Sequence, residues 1–310
     1  MPDASVAVSI RGVTKTYHGN RGVKDLSLDI AHGEIFGFLG PNGAGKTTTI
    51  RMLLNLIRPD TGQISIYGKD AQADSVEVKR DLGYLPGEFA LYPAMAGGEI
   101  LRYLANLRKG TDFAYAVSLA ERLDLDLSKK FRQYSRGNKQ KLGIVQAFMH
   151  KPRLLILDEP TGGLDPLNQK TFLHMVEEAA AEGRTVFFSS HIMSEVERAC
   201  TRVAIIREGA LVTVGDIAEL RRSLVHRISV TFAGPAPAPI ADITAIGGVR
   251  LVDTEQPDDH TALFAVRSES LDAAVYAIAK YEITNLVSHE PSLEELFLAS
   301  YSNADNDRGA

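Results

Sequence analysis

The chain has 310 residues, of which 45% are hydrophobic and 24% are charged. These proportions are those of an ordinary folded protein, and they exclude a wholly disordered chain. The length is enough for one large domain and a smaller one. A net charge of -5, with no block of lysines and arginines, argues against nucleic acid as a partner.

Cysteine content and hydropathy bear on the compartment. A single cysteine, Cys200, cannot form an internal disulfide, and no Cys/His cluster has zinc-type spacing. Residues 1–10 lack the basic-then-apolar order of a signal peptide, and no apolar run approaches the roughly 18 residues of a membrane span. We therefore expect a cytoplasmic chain that works at a membrane only through another polypeptide.

The first elements along the chain predict an α/β arrangement. Residues 6–35 alternate short β-type segments with glycine turns, which predicts a small sheet. The apolar run 35–39 predicts a strand, and we expect a helix over 46–57, stopped by Pro59. From about 88 to 150 the pattern is mostly helical, and we interpret this segment as a helical insert.

Buried strands return after the insert. The segments 154–157 and 185–189 are apolar, and a helical pattern near 172–181 lies between them. Because strand, helix and strand follow one another, we expect the two strands to pair in parallel.

The C-terminal part has a different composition. A capping-box pattern, Asp216-x-x-Glu219, precedes a Pro-rich stretch at 234–239, and we place a domain boundary near 222. Residues 223–300 predict a small α+β domain, and 301–310 a flexible tail. The expected strands are one through Ile228, Val230 and Phe232 and others near 248–253, 261–267 and 282–288, with helices at 270–280 and from Ser292.

The segment 40–47, Gly-Pro-Asn-Gly-Ala-Gly-Lys-Thr, fits the P-loop pattern and lies between a predicted strand and a predicted helix. Its glycines let backbone N–H groups curl around phosphate oxygens beside a helix N-terminus. Lys46 is expected to reach the β- and γ-phosphates, and the Thr47 hydroxyl to bind magnesium. The alternative is a glycine-rich turn that matches by chance. The predicted nucleotide-binding residues here are Gly40, Pro41, Asn42, Gly43, Ala44, Gly45, Lys46, Thr47 and Thr48.

Two further strands end in polar side chains. Asp158 and Glu159 follow one apolar strand, and His191 follows the next. Ligands of open α/β sheets bind at the carboxyl ends of strands. We expect Asp158 to hold magnesium, Glu159 to act as general base on the attacking water, and His191 to contact the γ-phosphate. Taken alone, the acidic pair also fits a turn or helix cap, and the histidine a structural role.

In chain order, these motifs resemble the ABC-transporter ATPase family. The matching elements are Tyr17, the P-loop, the segment 134–138 (Tyr-Ser-Arg-Gly-Asn), the Asp158-Glu159 pair, the turn 162–165 (Gly-Gly-Leu-Asp) and His191. The resemblance covers about 1–222. It implies an α/β P-loop NTPase core of the ABC type with an N-terminal antiparallel β-sheet and a helical insert. Residues 291–297 (Pro-Ser-Leu-Glu-Glu-Leu-Phe) resemble the accessory domain of drug and antibiotic exporter ATPases.

The resemblance also implies roles for single residues. Tyr17 matches the aromatic that stacks on adenine. Ser135 and Gly137 match the signature groups that contact the γ-phosphate held by another subunit, and Asp165 matches the turn that crosses between the two sites. The implied cofactors are ATP and Mg²⁺, and the implied partner is a second copy of the chain.

The sequence departs from the family pattern in two places. Arg136 replaces a signature glycine, and Asn138 replaces the signature glutamine. The family's glutamine after the strand 82–85 falls at Gly87, which has no side chain to reach magnesium or water. Either Glu88 or water takes its place, and the sequence leaves both open.

We expect the ATP-binding and ATP-hydrolysing subunit of an ABC transporter of exporter type. A nucleotide-sandwich homodimer would power a separately encoded integral membrane permease, docked near 87–100, and would lie on the inner face of the cell membrane. The alternatives are a soluble ABC-type ATPase acting on ribosomes or DNA, and a low-turnover regulatory subunit. The single cassette and the short interval between Lys46 and Ser135 favour transport.

Overall fold

A computed structural model describes residues 5–17, 21–88, 90–108, 110–222, 225–252 and 260–289. The chain divides into two compact units, the first ending at Gly215 and the second starting at Asp216. The break precedes the predicted boundary near 222 because Asp216 caps the next helix: its Oδ1 accepts hydrogen bonds from the backbone N–H groups of Ala218 (2.8 Å) and Glu219 (3.2 Å). The assignment of 1–222 and 223–300 as functional domains stays a prediction.

The first unit is built from strands and helices that alternate along most of its length. Its strands are β1 (Val6–Tyr17), β2 (Arg21–Ala31), β3 (Ile35–Leu39), β4 (Thr61–Ile66), β5 (Lys69–Asp70), β6 (Leu82–Leu85), β7 (Leu154–Asp158), β8 (Thr185–Ser190), β9 (Arg202–Arg207) and β10 (Ala210–Asp216). Its helices are α1 (Lys46–Leu53), α2 (Ser75–Arg80), α3 (Gly97–Leu107), α4 (Phe113–Arg122), α5 (Arg136–Phe148), α6 (Pro166–Ala181) and α7 (Met193–Ala199), with a 3-10 turn at Phe131–Gln133.

Two sheets form the core of this unit. One has six strands in the order β10-β9-β3-β8-β7-β6, and β9, β3, β8, β7 and β6 run parallel to one another. Every residue of β3, β7 and β8 is buried, as expected for parallel strands covered on both faces. The other sheet, β2-β1-β4-β5, is antiparallel. The predicted parallel pairing and the predicted N-terminal sheet are confirmed.

Apolar packing joins the sheets and helices. The fully buried side chains of Ile10, Ile30, Phe38 and Ile50 belong to one core cluster that draws on both sheets and α1. The ring of Phe172 in α6 lies 6.3 Å, between centroids, from those of Phe148 in α5 and Phe188 in β8. These contacts hold the carboxyl ends of the parallel strands in fixed relation to the helices that follow them.

Helix α1 is shorter than predicted. The sequence pattern predicts a helix over 46–57, but α1 ends at Leu53. Asn55 adopts a left-handed conformation with φ of 47°, and the Arg51 carbonyl accepts hydrogen bonds from the N–H groups of Leu56 (2.8 Å) and Ile57 (3.3 Å). Asparagine is one of the few residues that tolerates this conformation, so it stops the helix before Pro59 can.

His150, just beyond α5, is a partly buried histidine that is neutral at pH 7. Its Nε2–H donates to the Leu82 carbonyl at 3.1 Å, and among the described atoms its buried Nδ1 has no hydrogen-bond partner. Burial, and then the positive charge of nearby Arg108, lower the pKa of His150 to about 4. A proton on Nδ1 would have no acceptor, so the native state disfavours the charged form.

We expect acid to destabilise the protein partly through His150. The unfolded chain takes up a proton near pH 6.5 and the native chain only near pH 4, so stability is lost as the pH falls through this window. Urea unfolding at pH 7 and pH 4.5 should show His150→Gln losing less stability than the parent, by about 1–2 kcal/mol after allowance for partial exposure. The control is His174→Gln, which replaces an exposed histidine. An equal loss of stability in the parent and in His150→Gln would contradict the prediction.

The second unit is a small α+β fold. It contains α8 (Ile217–Arg222), β11 (Val225–Phe232), α9 (Pro237–Thr244), β12 (Val249–Leu251), β13 (Thr261–Arg267), a 3-10 turn (Ser268–Ser270), α10 (Leu271–Ile278) and β14 (Ile283–His289). Its antiparallel sheet has the order β12-β13-β11-β14, and Ile228, Val230 and Phe232 are buried in its core with α9 and α10. The strands and the helix predicted for this part lie at β11 to β14 and α10.

The second unit contains one helix that was not predicted, and two of the predictions for this part cannot be compared with the structure. Helix α9 was not predicted. It begins at Pro237, inside the Pro-rich stretch 234–239, and proline is tolerated in the first turn of a helix. The helix predicted from Ser292 and the tail 301–310 lie outside the described residues. Within the described ranges, no helix combines the length and the apolar character needed to cross a membrane.

Candidate nucleotide-binding and hydrolysis site

A cavity of about 670 Å³ opens at the carboxyl ends of β3, β6, β7 and β8. Most of the residues predicted to bind nucleotide or to act in hydrolysis line it. The described residues around it are Tyr17, Gly22, Pro41, Asn42, Gly43, Gly45, Lys46, Thr47, Thr48, Arg51, Tyr84, Pro86, Gly87, Glu88, Arg136, Asp158, Glu159, Gly162 and His191.

The loop between β3 and α1 forms one wall of the cavity. Gly43 and Gly45 have φ of 82° and 110°, a region that favours glycine and curves the backbone around the cavity. Gly45 is the N-cap of α1, and no side chain caps this helix end. The first N–H groups of α1 are therefore available to an anion. Gly40 and Ala44, also predicted here, do not line the cavity; buried Ala44 accepts a hydrogen bond from the Gly209 N–H at 3.0 Å.

Two glycines of this loop should differ in their tolerance of alanine. A Cβ at Gly40 would lie 2.3 Å from the Ile206 carbonyl oxygen, whereas one at Gly43 would meet nothing within 4 Å and would only strain the backbone. We expect Gly40→Ala to lower the free energy of unfolding by about 2–4 kcal/mol and Gly43→Ala by about 1 kcal/mol. Denaturant unfolding of the pair measures this, and similar losses would contradict it.

Lys46 is a buried cation at the centre of the site. Its side chain is 6% exposed, and Nζ donates to the carbonyls of Gly40 (2.6 Å) and Pro41 (3.3 Å). Nζ also lies 3.3 Å from Glu159 Oε1. The loop carbonyls orient the ammonium, so that it faces the cavity together with the acidic pair.

Glu159 joins two of the other predicted catalytic residues. Its Oε2 accepts a hydrogen bond from His191 Nδ1 at 2.6 Å, which requires a hydrogen on that nitrogen, while Oε1 faces Lys46. The side chain is 27% exposed, so the carboxylate is reachable from the cavity. The arrangement can orient a water molecule and accept its proton.

The backbone of Glu159 is strained and supported from α5. Its φ is 49°, which a residue with a side chain rarely adopts. The side-chain amide of buried Gln140 donates to the carbonyls of Glu159 (3.3 Å) and Pro160 (2.9 Å). The N–H of Glu159 donates to the Ser189 carbonyl at 3.0 Å. These bonds tie the turn after β7 to α5 and to β8, and thereby direct the carboxylate into the cavity.

Asp158 is buried at the end of β7 beside the P-loop. Its Oδ2 accepts a hydrogen bond from the Thr47 hydroxyl at 3.2 Å, and its Oδ1 accepts one from Ser189 at 3.1 Å. Burial raises the pKa of the Asp158 carboxyl, and the hydrogen bonds from Ser189 and Thr47 oppose the shift. A desolvated carboxylate next to a hydroxyl supplies the oxygen ligands that Mg²⁺ prefers, so these residues fit the predicted metal site.

The signature and the turn after β7 meet within the same chain. Ser135 caps α5, its Oγ accepting a hydrogen bond from the Asn138 N–H at 3.2 Å, and Asp165 caps α6 through the N–H groups of Leu167 and Asn168. Gly137 has no room for a side chain, because a Cβ there would lie 2.5 Å from the Gly163 carbonyl oxygen. Among the described residues, Ser135, Gly137 and Asp165 do not line the cavity of their own chain. Their predicted contact with a partner's nucleotide stays a prediction.

Tyr17 and Gly87 differ in what they present to the cavity: one has an exposed ring and the other has no side chain. Tyr17 borders the cavity and is 45% exposed, and the Lys15 ammonium lies 6.0 Å from the centroid of its ring. The exposed part of the ring suits stacking on a flat ligand. A Cβ at Gly87 would lie 3.5 Å from the carbonyl oxygen of Asp158 and 3.8 Å from its Oδ2, which is ordinary contact. Glu88 lines the same cavity. The space for a side chain at position 87 exists, but the glycine leaves it empty.

Several residues of the site were not predicted from the sequence. Arg51 and Tyr84 line the cavity, and Gln140, Ser189 and Glu195 support its walls. Burial, and then the negative charge of Asp158, raise the pKa of Tyr84 to about 12. Arg51 lies one helical turn beyond Thr47, so helical spacing could have indicated it. Gln140 gave no such signal, since its partners are distant in sequence.

A glycine loop at a helix N-terminus, a buried lysine and a strand-end carboxylate pair around one cavity define a P-loop nucleoside triphosphatase. Residues 23–162 match the family model described as ABC transporter, and residues 129–197 match one described as an AAA domain, putative AbiEii toxin, Type IV TA system.

Curated relatives extend the match over most of the chain. The linearmycin resistance ATP-binding protein LnrL of Bacillus subtilis (strain 168) is 33% identical over 300 residues, which cover 92% of this chain and 95% of the relative. The bacitracin transport ATP-binding protein BcrA of Bacillus licheniformis is 40% identical over 211 residues, covering 67% and 69%. This chain therefore belongs to the ATP-binding proteins of the ABC transporter family.

Solved structures agree with this assignment. The ATP-binding subunit of an ABC transporter is 31% identical, with a TM-score of 0.65 over 70% of this chain and 92% of that chain. A dimeric ATP-binding cassette in a post-hydrolysis state with ADP and Pi is 22% identical, with a TM-score of 0.61 over 67% of this chain and 98% of that one, and it shows the fold alone. The predicted fold class is confirmed, and the chain is an ATP-binding ATPase of this family.

Proposed function

We propose that the chain powers export by a separately encoded integral membrane permease. The observation that carries the proposal is the contact of Glu159 with both Lys46 and His191 in a P-loop cavity, because this set of groups suits ATP hydrolysis. Two relatives are named for resistance to one antibiotic and transport of another. Outward movement of an antibiotic-like compound accounts for both names.

In the proposed mechanism each residue has a separate task. The N–H groups of the P-loop and the Lys46 ammonium bind the phosphates, and Tyr17 stacks on the adenine. Glu159 orients the attacking water and accepts its proton, while His191 keeps the carboxylate in place and is available to the γ-phosphate. Thr47 and Asp158 would hold Mg²⁺, which neutralises phosphate charge when it is bound.

We further propose a nucleotide-sandwich homodimer. Ser135 and Gly137 at the start of α5 would contact the γ-phosphate held by the second copy, and Asp165 would lie where the two sites meet. The N-terminal end of a helix favours an anion, and α5 begins at this point. Closure over two Mg-ATP and reopening after hydrolysis would supply the movement that drives transport.

The permease is proposed to dock on the helical insert, near 87–100, with the chain on the inner face of the cell membrane. Large apolar side chains are exposed in this segment and in the rest of α3, which begins within it: Tyr92 is 54% exposed, Tyr103 is 44% exposed and Leu107 is 65% exposed. The rings of Tyr92 and Tyr103 meet edge to face, 5.9 Å apart between centroids. Tyrosines with exposed rings are typical of contact surfaces between proteins.

Co-purification from native membranes tests the transport proposal. The tagged chain should retain an integral membrane protein, and ATP hydrolysis by that complex should respond to the transported compound. Tyr92→Glu with Tyr103→Glu should release the membrane protein while the ATPase rate of the isolated chain stays unchanged. Recovery of ribosomes or DNA in place of a membrane protein would favour a non-transport role.

One observation favours a second candidate, a regulatory subunit with little turnover. The glycine at position 87 leaves empty the space beside Asp158 where a side chain would fit. A steady-state ATPase assay on the purified chain separates the two functions. Turnover near 1 per second or faster, within the ordinary range of enzymes, supports the transporter, whereas tight ATP binding without turnover supports the regulator.

A further inference from the structure

Glu195 is a carboxylate in the first turn of α7 that joins two loops of the site. Its Oε1 accepts a hydrogen bond from the Thr161 hydroxyl at 2.5 Å, and its Oε2 accepts one from the Ser190 hydroxyl at 2.7 Å. Both distances lie in the range of charge-assisted O–H···O⁻ bonds. Thr161 and Ser190 are buried, and none of the three side chains is among the described residues that line the cavity. Glu195 therefore acts on the site through its two partners and not through a ligand.

Thr161 belongs to the turn that carries the proposed general base. It lies two residues after Glu159, and the turn is closed by the hydrogen bond from the Gly162 N–H to the Glu159 carbonyl at 3.2 Å. Glu159 has φ of 49°, and a strained backbone of this kind persists only where the surrounding structure fixes it. The hydrogen bond from the Thr161 hydroxyl to Glu195 is one such constraint, and it comes from α7, outside the turn itself.

Ser190 belongs to the loop that carries the histidine of the site. It is the last residue of β8 and immediately precedes His191. Its hydroxyl donates to Glu195 and also accepts a hydrogen bond from the Ile192 N–H at 3.0 Å, so the chain on both sides of His191 is tied to one carboxylate. The His191 side chain is 46% exposed, so packing alone does little to hold its ring. The position of the loop therefore decides where Nδ1 of the ring lies.

The two oxygens of one carboxylate have a fixed separation, so the bonds to Thr161 and Ser190 hold the two loops in one relative position. We propose that Glu195 is a positioning residue for ATP hydrolysis, which sets the 2.6 Å contact between His191 Nδ1 and Glu159 Oε2. The inference rests on the proposed function and on the roles proposed there for Glu159 and His191. A displacement of about 1 Å at reacting groups can cost about 10²-fold in rate, so a small shift of either loop would slow hydrolysis.

Steady-state ATPase kinetics of the full chain test the proposal. We expect Glu195→Ala to lower kcat about 10- to 100-fold and to change the KM for ATP by less than about twofold, because the P-loop groups that bind phosphate are untouched. Glu195→Gln should recover at least about threefold of this loss, since its amide oxygen still accepts a hydrogen bond from one hydroxyl. The matched control, Glu177→Ala, removes an exposed carboxylate from α6 and should change neither constant.

A double-mutant cycle separates positioning from a general loss of stability. In a chain that already carries His191→Ala, the contact that Glu195 positions is gone, so adding Glu195→Ala should lower kcat by less than about twofold further. A residue that only stabilises the fold would lower the rate by the same factor in both backgrounds.

Nuclear magnetic resonance of the histidine rings reports the same contact without any need for turnover. Long-range ¹H–¹⁵N correlation distinguishes a protonated Nδ1 from an unprotonated one, and the signals of His191 are those that disappear in His191→Ala. At about pH 8, where an ordinary histidine ring is neutral, the bond to Glu159 requires the hydrogen on Nδ1. We expect a protonated Nδ1 in the parent and in Glu195→Gln, and a mixture of the two tautomers in Glu195→Ala.

Three outcomes would overturn the proposal: an unchanged kcat in Glu195→Ala, the same loss with and without His191, or an unchanged tautomer of His191. Thermal unfolding checks that the variants are folded. Should Glu195→Ala not fold, Thr161→Val and Ser190→Ala each remove one of the two hydroxyls and are each expected to lower kcat about threefold. A parent chain without turnover would contradict the proposed function, and the tautomer of His191 would then decide the positioning role by itself.

Discussion

The Glu159→Gln protein is expected to bind ATP with near-normal affinity and to hydrolyse it about 10²- to 10⁴-fold more slowly than the parent. The carboxylate oxygens face Lys46 and His191 at 3.3 and 2.6 Å. Glutamine has the same shape and can still accept a hydrogen bond from His191, but it cannot take a proton from water. The loss should therefore fall on the chemical step and spare nucleotide binding.

Two measurements decide this prediction: the steady-state release of phosphate and the equilibrium affinity for ATP. Glu121→Gln, which removes an exposed carboxylate in α4, is the matched control and should change neither. Hydrolysis at the parent's rate would exclude Glu159 as the general base. A large loss of ATP affinity would indicate that the carboxylate supports binding instead.

Lys46→Ala is expected to weaken ATP binding about 10- to 100-fold and to lose hydrolysis for that reason. Hydrogen bonds from a charged donor contribute about 1.5–3 kcal/mol each, and one such bond to phosphate accounts for this range. Lys46 is 6% exposed and is held by two loop carbonyls, so no water-exposed cation can replace it at that point. Lys46→Arg should not restore binding, because its larger planar head does not fit the same carbonyl pair.

The control for this variant is Lys170→Ala, at an exposed position in α6. Isothermal titration with Mg-ATP measures affinity, and thermal unfolding reports whether the P-loop still folds. Glu159 loses a partner in Lys46→Ala but remains 27% exposed, so water can replace that contact. Affinity within twofold of the parent would contradict the assigned role of Lys46.

Together the two variants separate binding from chemistry. If Glu159→Gln binds ATP without turnover and Lys46→Ala fails to bind it, then Glu159 serves hydrolysis and Lys46 serves binding, as proposed. The same assays on Gly87→Gln would show whether a side chain beside Asp158 raises turnover, since the space for it is present.

Much of the parallel sheet could be predicted because its strands are continuous apolar runs, such as Leu154–Asp158 and Thr185–Ser190. The end of α1 could not, because a left-handed Asn55 and two bonds to the Arg51 carbonyl decided it. Helix α9 was hidden by prolines that usually indicate irregular structure. Such local choices depend on which backbone groups find partners, and composition does not specify that.

The candidate site divides in the same way. The P-loop, the acidic pair and the histidine could be located because each follows a predicted strand, and ligands bind at the carboxyl ends of parallel strands. The hydrogen bond from Gln140 to Glu159, and the packing of the Arg136 side chain on Gly163, could not be predicted from the sequence. These contacts join segments that have no pattern in common along the chain.

By itself the sequence determined the class of this protein: an ABC-type ATPase with a P-loop, a strand-end acidic pair and a signature segment. Each of these motifs is a run of neighbouring residues, so its chemistry can be inferred from that run alone. Only the tertiary structure decided that Lys46, Glu159 and His191 touch, that Asp158 is buried against Thr47, and that Arg136 borders its own cavity. Parallel strands bring distant residues to one edge of a sheet, and distances of a few ångströms there depend on how the whole unit packs.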